Sequence, residues 1–292
     1  MFEGAMVALI TPLKDNEVDE QALRRLVRFQ EDNGVDVLVP CGTTGESATL
    51  THEEHEMVIE IVVDESKEAK VLAGTGSNST HETLRLTEHA ASVGCDAALV
   101  ITPYYNKPPQ RGMYEHFKQV AETVDIDIVP YNVPSRTGIN LEADTVARLA
   151  RIPNIIAVKE ASGDMGQVSE IITRTPDDFS VLSGDDALTL PLLSVGGQGV
   201  VSVVSNIAPV QVSGLVHAWM DGDCQKARDI HQQIFPLMRA MFVETNPIPV
   251  KAAASMKGLC ENELRPPMVI IDEELQEHLR KIMLSCGVSV NE

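Results

Sequence analysis

The chain has 292 residues, with 23 Lys+Arg against 43 Asp+Glu for a formal net charge of −20, and 43% of it is hydrophobic but only 4% aromatic. That length suits two ordinary domains or one barrel-sized domain with an appendage, and the hydrophobic share is that of a globular protein. A surface so negative repels phosphate backbones and anionic lipid head groups, which excludes nucleic acid and membrane surfaces as main partners. Any small anionic substrate must then be held by local groups against an adverse field. No apolar run approaches the roughly 20 residues of a membrane span, and the opening MFEGAMVALITP lacks the basic stretch of a secretory signal. A cytoplasmic protein is expected. Cys41, Cys95, Cys224, Cys260 and Cys286 are scattered and show no CxxC spacing, so buried free thiols are expected rather than disulfides or a thiolate zinc site.

In chain order, short apolar runs predict strands at 5–10, 35–41, 71–75, 97–102, 126–133, 155–159, 179–183 and 200–204. Between them, segments of helical spacing predict helices at 20–32 (Leu23, Leu26, Val27 and Gln30 share a face), 53–63, 83–91, 114–124, 145–150 and 168–174. Thr51-His-Glu-Glu54 and Ser79-Thr-His-Glu82 fit capping boxes, while Asn33-Gly34 and Val93-Gly94 read as helix ends. Near-continuous apolar strands alternating with helices match a closed parallel barrel better than an open sheet, so the predicted fold is α/β, a (β/α)8 TIM barrel. Pro130 lies inside the fifth strand, where it removes a ladder donor that a closed barrel cannot hide at an edge. A bulge or an early strand end is the expected accommodation. Beyond Gly222 the strands stop and helices are predicted at 223–242, 247–257 and 272–284, punctuated by Pro247, Pro249 and Arg265-Pro-Pro267. The expected organisation is a catalytic barrel at 1–222 and a C-terminal helical domain at 223–292, which packs on the barrel or on another subunit.

Reactive groups of such a barrel sit where strands end and βα loops begin. The strand ends carry Cys41-Gly-Thr-Thr-Gly-Glu46, Gly74-Thr-Gly76, Thr102-Pro-Tyr-Tyr105, Tyr131-Asn-Val-Pro-Ser-Arg136, Lys159-Glu160, Ser183-Gly-Asp185 and Ser202. Alternation puts Ile155, Ala157 and Lys159 on one strand face, and a lysine facing the barrel interior loses its charge to desolvation and becomes a nucleophile able to form a Schiff base. At a strand end it can equally snorkel to water or pair with a carboxylate. Tyr131, one strand earlier, could move protons on and off the intermediates, or fill the core. Thr43 and Thr44 could relay a proton or bind a carboxylate beside backbone N–H groups, or merely form a tight turn. Arg136 suits bidentate grip of a carboxylate, though a surface ion pair would also explain it. Tyr104-Tyr105 stands out among only four tyrosines and fits interface packing, function or both. Three metal or phosphate readings fail: His52-Glu-Glu-His55 lacks the i, i+4 histidines of a zinc helix, Asp185-Asp186 suits helix capping, and Gly196-Gly-Gln-Gly199 has no basic companion. No metal is expected.

With those residues in hand, the chain strongly resembles the dihydrodipicolinate synthase family of pyruvate-dependent Schiff-base aldolases, from Phe2 to about Gly287. The resemblance rests on GTTGESATL (42–50), TPYYNKP (102–108), YNVPSRTG (131–138), VKEASGD (158–164), LSGDD (182–186) and NPIPVK (246–251), whose order and spacing together are specific. It implies that pyruvate condenses with Lys159 to an imine and then an enamine, which attacks aspartate semialdehyde without a cofactor. Tyr131 would donate and accept protons, and Thr43, Tyr131 and Tyr105 would form a relay, with Tyr105 reaching in from a neighbouring subunit of a homotetramer. Thr44 would hold the pyruvate carboxylate beside backbone contacts from Val201 and Gly184, and Arg136 the semialdehyde carboxylate. The residues matching a lysine-inhibition cleft stand here as Ser47, Ala48, His52, His55, Asn78, Glu82 and Tyr104. Pro130 and Val201 depart from the family pattern without removing a functional group. Competing expectations are an N-acetylneuraminate lyase or keto-deoxy-sugar-acid aldolase of the same superfamily, which Arg136 disfavours, and a non-catalytic small-molecule sensor, which would need no nucleophile.

Overall fold

The structure, a computed structural model, describes residues 2–291. Eight strands, β1 (Gly4–Ala8), β2 (Val37–Val39), β3 (Lys70–Gly74), β4 (Ala97–Ile101), β5 (Asp127–Asn132), β6 (Ala157–Glu160), β7 (Ser180–Ser183) and β8 (Gly199–Ser202), bond in the order β1-β8-β7-β6-β5-β4-β3-β2 and close into a parallel barrel. This is the fold the apolar runs predicted. The strands are buried on both faces almost throughout, which is why their sequences show no alternation.

The chain groups into two compact units. One holds residues 2–4 and 70–201, with β3 to β7, most of β8, and helices α3 (Thr80–Ser92), α4 (Gln110–Thr123), α5 (Pro134–Thr137), α6 (Ala143–Leu149), α7 (Met165–Arg174) and α8 (Thr189–Ser194). The other holds residues 5–69 and 202–291, with most of β1, β2, helices α1 (Glu20–Glu31), α2 (His52–Glu65), α9 (Pro209–Met220), α10 (Cys224–Ala240), α11 (Ile248–Met256) and α12 (Glu273–Ser285). The expected boundary at residue 222 falls inside this second unit, between α9 and α10, which pack on each other. The sequence gives no helix at α5 or α9, and at α8 only the capping acids Asp185-Asp186 without a helical span. α5 and α8 are too short to show a period, and α9 (PVQVSGLVHAWM) is apolar around nearly its whole circumference, so no polar stripe marks it.

Caps follow local chemistry, with one departure. Asp19 accepts from the N–H of Ala22, and Thr51 with Glu54 forms the full expected box. At α3 only half of the expected box exists: Ser79 accepts from the N–H of Glu82, but the Glu82 carboxylate is taken by the hydroxyl of Ser77. Cys224 also departs from the expectation of buried thiols, because it opens α10 on the exposed side. Among the described residues no helix is long and apolar enough to cross a membrane, and no group of three or more His, Cys, Asp or Glu is arranged to hold a metal ion.

Pro130 is accommodated by a bulge, and the extra residue lies on the neighbouring strand. Towards β4 the register runs unbroken from Ala97↔Asp127 to Ile101↔Tyr131. Towards β6, Ile128 pairs with Ile155 but Asn132 pairs with Glu160, so five steps on one strand answer four on the other. Ile156 is the misfit: its N–H donates to Ile128 O while its carbonyl accepts from Ser180 N on the opposite neighbour. In a parallel ladder successive residues face alternate neighbours, and Ile128 and Asn132 both bond towards β6, so Pro130 faces β6 and lacks its donor only there. The bulge interrupts the alternation invoked from Ile155, which therefore holds only from Ala157 onward.

In the second unit, a fully buried ion pair ties the Gly42–Glu46 turn to α11: Lys251 Nζ lies 2.6 Å from Glu46 Oε1, and Arg265 N donates to Glu46 Oε2 at 3.2 Å. The Arg265 guanidinium in turn grips both oxygens of Glu54, at 2.6 and 2.5 Å, and the carbonyls of Thr49 and Asn16. Glu46 sits at φ 56°, a left-handed conformation that a non-glycine residue adopts only when its surroundings enforce it. Lys251→Met, which strands the Glu46 carboxylate, is expected to destabilise the protein by about 3–5 kcal/mol in chemical denaturation, and adding Glu46→Gln to recover part of that loss. A single variant as stable as the parent would contradict the pairing.

Candidate active site

In the first unit the bulge has a chemical consequence. It sets Tyr131 opposite Lys159, and Asn132 opposite Glu160. Lys159 Nζ then lies 3.9 Å from the centroid of the Tyr131 ring, and both side chains are buried. Burial pulls the Lys159 ammonium down from its ordinary 10.5 to about 7; nearby Asp186 opposes that fall and Arg136 adds to it. Near neutral pH a substantial fraction of Lys159 is therefore the free amine, the form that attacks a carbonyl. Gly184 keeps the space beside it open: a Cβ there would stand 2.6 Å from Ala161 Cβ and 3.1 Å from Lys159 Cε. Val201, also expected at this site, is buried within β8.

Arg136 rides the short helix α5, exposed, with Pro134 at its first position and Gly138 closing it at φ 74°. Lys107 leans on that turn, since a Cβ added at Gly138 would stand 2.9 Å from Lys107 Cε and 3.2 Å from its Nζ. Tyr105 is held at φ 72° with 87% of its surface exposed, and Tyr104 is 38% exposed. An aromatic residue held in the left-handed region and pointed into solvent gains nothing from packing within its own chain.

Thr43 and Thr44 lie in the second unit, on the Gly42–Glu46 turn just described. Thr44 is buried, and its Oγ1 accepts from Asn246 Nδ2 at 2.9 Å, which leaves its own proton to be donated. Thr43 is half-buried, and its carbonyl closes the turn by accepting from Glu46 N at 3.1 Å. Of the residues matched to a lysine cleft, this unit carries Ser47, Ala48, His52 and His55, on the short 3-10 turn and the first turn of α2; His55 is buried and His52 exposed. The first unit carries Asn78, whose carbonyl accepts from Asn106 Nδ2 at 2.9 Å, together with Tyr104 and Glu82. Glu82 accepts from the Ser77 hydroxyl, and Ser77 Oγ accepts from Ser79 N at 3.2 Å, so Glu82 serves the start of its own helix through Ser77.

Three contributors escaped the sequence reading. Asp186 was read as a helix cap, a job that Asp185 does by accepting from Ala187 N, while Asp186 is buried and acts on Lys159. Asn246 and Lys251 were legible only as part of the NPIPVK string, far along the chain from the turn they hold.

The comparisons with known proteins agree with this geometry. The model of the dihydrodipicolinate synthetase family matches residues 1–285. A 4-hydroxy-tetrahydrodipicolinate synthase of Syntrophus aciditrophicus is 54% identical over 289 residues, covering 99% of each chain. Among solved structures, the dihydrodipicolinate synthase of Aquifex aeolicus is 50% identical with a TM-score of 0.98 and full coverage of both chains. The enzyme of Cyanidioschyzon merolae, solved with lysine bound, is 41% identical with a TM-score of 0.96 over 99% of each chain.

Because the free amine is the reactive form, the rate of its capture by a keto acid is expected to rise through a limb near pH 7 and level off above it. Asp186→Asn, which removes the group that favours the ammonium, is expected to move that limb to lower pH in a stopped-flow pH profile. A limb that stays put, or moves up, would contradict the assignment.

Proposed function

The chain belongs to the dihydrodipicolinate synthetase family, and on that footing we propose how its residues perform the synthase reaction. It is a lyase-type enzyme of lysine and diaminopimelate biosynthesis, a 4-hydroxy-tetrahydrodipicolinate synthase by function. The Lys159 amine attacks the ketone of pyruvate, and the carbinolamine loses water to give the imine. A methyl proton leaves to form the enamine, whose carbon attacks the aldehyde of aspartate semialdehyde. The amino group of the condensed product then closes the ring on the imine carbon and displaces Lys159. Tyr131 gives and takes the protons of these steps. One observation carries the reading: a buried lysine with its pKa brought to about 7, in register with a buried tyrosine.

The other roles follow the family resemblance. Thr44 holds the pyruvate carboxylate, assisted by the backbones of Gly184 and Val201, and Arg136 takes the carboxylate of the semialdehyde. Thr43 and Tyr105 extend the proton relay from Tyr131. The exposure and backbone strain of Tyr105 support its service to a neighbouring subunit, and we propose a homotetramer, a dimer of dimers, on that basis. By the same resemblance, Ser47, Ala48, His52, His55, Asn78, Glu82 and Tyr104 form the site at which lysine inhibits. Cytoplasmic residence fits a biosynthetic enzyme of this kind. An N-acetylneuraminate lyase, a keto-deoxy-sugar-acid aldolase and a silent sensor are all disfavoured by the comparisons.

Incubation with pyruvate followed by borohydride reduction is expected to leave a mass adduct on Lys159. The enzyme is expected to condense pyruvate with aspartate semialdehyde and to leave N-acetylneuraminate intact; no adduct, or the reverse preference, would overturn the reading. Velocity is expected to fall with added lysine, whereas a curve flat to millimolar lysine would remove the regulatory proposal.

A further inference from the structure

Thr11, Thr44 and Thr49 all bond at the Gly42–Glu46 turn, and one of them is wired the opposite way. Thr11 Oγ1 donates to Gly45 O at 2.7 Å, and Thr49 Oγ1 donates to Glu46 O at 3.1 Å. That is the ordinary habit of a hydroxyl beside a turn, whose proton goes to a nearby carbonyl. Thr44 instead accepts. Asn246 Nδ2 donates to its Oγ1 at 2.9 Å, and both residues are buried.

A threonine hydroxyl rotates to suit its partners and carries one proton and two lone pairs. With a lone pair engaged by Asn246, the O–H bond of Thr44 is turned away from the amide, and its proton is the part left to offer. Asn246 is well fastened for that task. It stands just ahead of α11, whose Lys251 holds Glu46 of the same turn at 2.6 Å. The two side chains thus grip the turn two residues apart. Between them, a Cβ at Gly45 would stand 3.0 Å from Leu9 O, so the turn lies close against the chain leaving β1. An amide is also the suitable donor here: it orients the hydroxyl without bringing a charge, whereas a carboxylate would take the proton itself and repel an anion.

We propose that Asn246 is a positioning residue for Thr44, holding its hydroxyl as a ready donor for the carboxylate of pyruvate before the keto acid arrives. The proposal rests on the reading of Thr44 as the grip on that carboxylate. A preset donor needs no reorganisation at binding, so its loss appears as weaker pyruvate capture. The effect must also pass through one atom, the Thr44 oxygen. That separates positioning from a general role in folding, because any other contact of Asn246 acts whether or not that oxygen is present.

The test is a double-mutant cycle of Asn246→Ala and Thr44→Val, read as the pyruvate concentration that gives half-maximal borohydride trapping with no second substrate present. Asn246→Ala alone is expected to raise that concentration about fivefold, and Thr44→Val alone about tenfold, the scale of one hydrogen bond to a charged group. In the Thr44→Val background, Asn246→Ala is expected to raise it by less than about twofold, because the oxygen it acts on is gone. A rise below that mark from Asn246→Ala alone, or one above it in the Thr44→Val background, would overturn the proposal. Should Asn246→Ala fail to fold, Asn246→Leu, which keeps the side-chain volume and removes the amide, is judged by the same two outcomes. Failure of the parent enzyme to trap pyruvate would overturn the functional reading, and a Thr44→Val variant that traps like the parent would overturn the role of Thr44 and the positioning with it. A weakened Thr44→Val variant beside a silent or additive Asn246→Ala overturns the positioning alone.

Discussion

The register between β5 and β6 is the constraint on which the chemistry depends. A regular ladder continued from the pair Ile128↔Ile155 would set Tyr131 against Val158 and Asn132 against Lys159. The extra residue at Ile156 re-phases the two strands, so that Tyr131 meets Lys159 and Asn132 meets Glu160. Bulges recur beside active sites because they re-aim a side chain without breaking the sheet. Here the re-aimed side chain is the lysine proposed as nucleophile, and the bond between Asn132 and Glu160 on the neighbouring positions makes slippage back costly, since two buried polar groups would lose their partners.

Electrostatics then decides what the placed lysine can do. In a chain with a net charge of −20 the general field favours the ammonium form, yet burial overrides it at Lys159. Desolvation is local and unscreened, while distant surface carboxylates act through water and salt. Asp186 and Arg136 pull the titration in opposite directions, so the outcome near neutrality is a balance of named groups rather than of overall charge.

Much of this was legible in the sequence. The barrel followed from eight apolar runs because closed parallel strands are buried on both faces, and Lys159 followed from its place at the end of one of them. What stayed hidden is instructive in its physics. α9 is invisible to periodicity because it is apolar all round. The roles of Asn246 and Lys251 at the Gly42–Glu46 turn depend on contacts some two hundred residues apart in sequence. Pro130 announced an irregularity, but the extra residue fell on the partner strand, and only the pairing pattern shows that it moved Lys159. Asp186 was masked by its neighbour Asp185, since two adjacent acids cannot be told apart by capping propensity.

The central claim is that its surroundings bring the Lys159 pKa down to about 7, so that a substantial fraction is the free amine before any substrate arrives. Direct titration of its side chain by NMR, with carbon-13 in the lysine ε position and Lys159→Arg to assign the signal, measures this without reference to turnover. A midpoint near 7 is the expected result. A midpoint at the ordinary 10.5 would mean that the amine is protonated and hydrated, and would contradict the mechanism at its root.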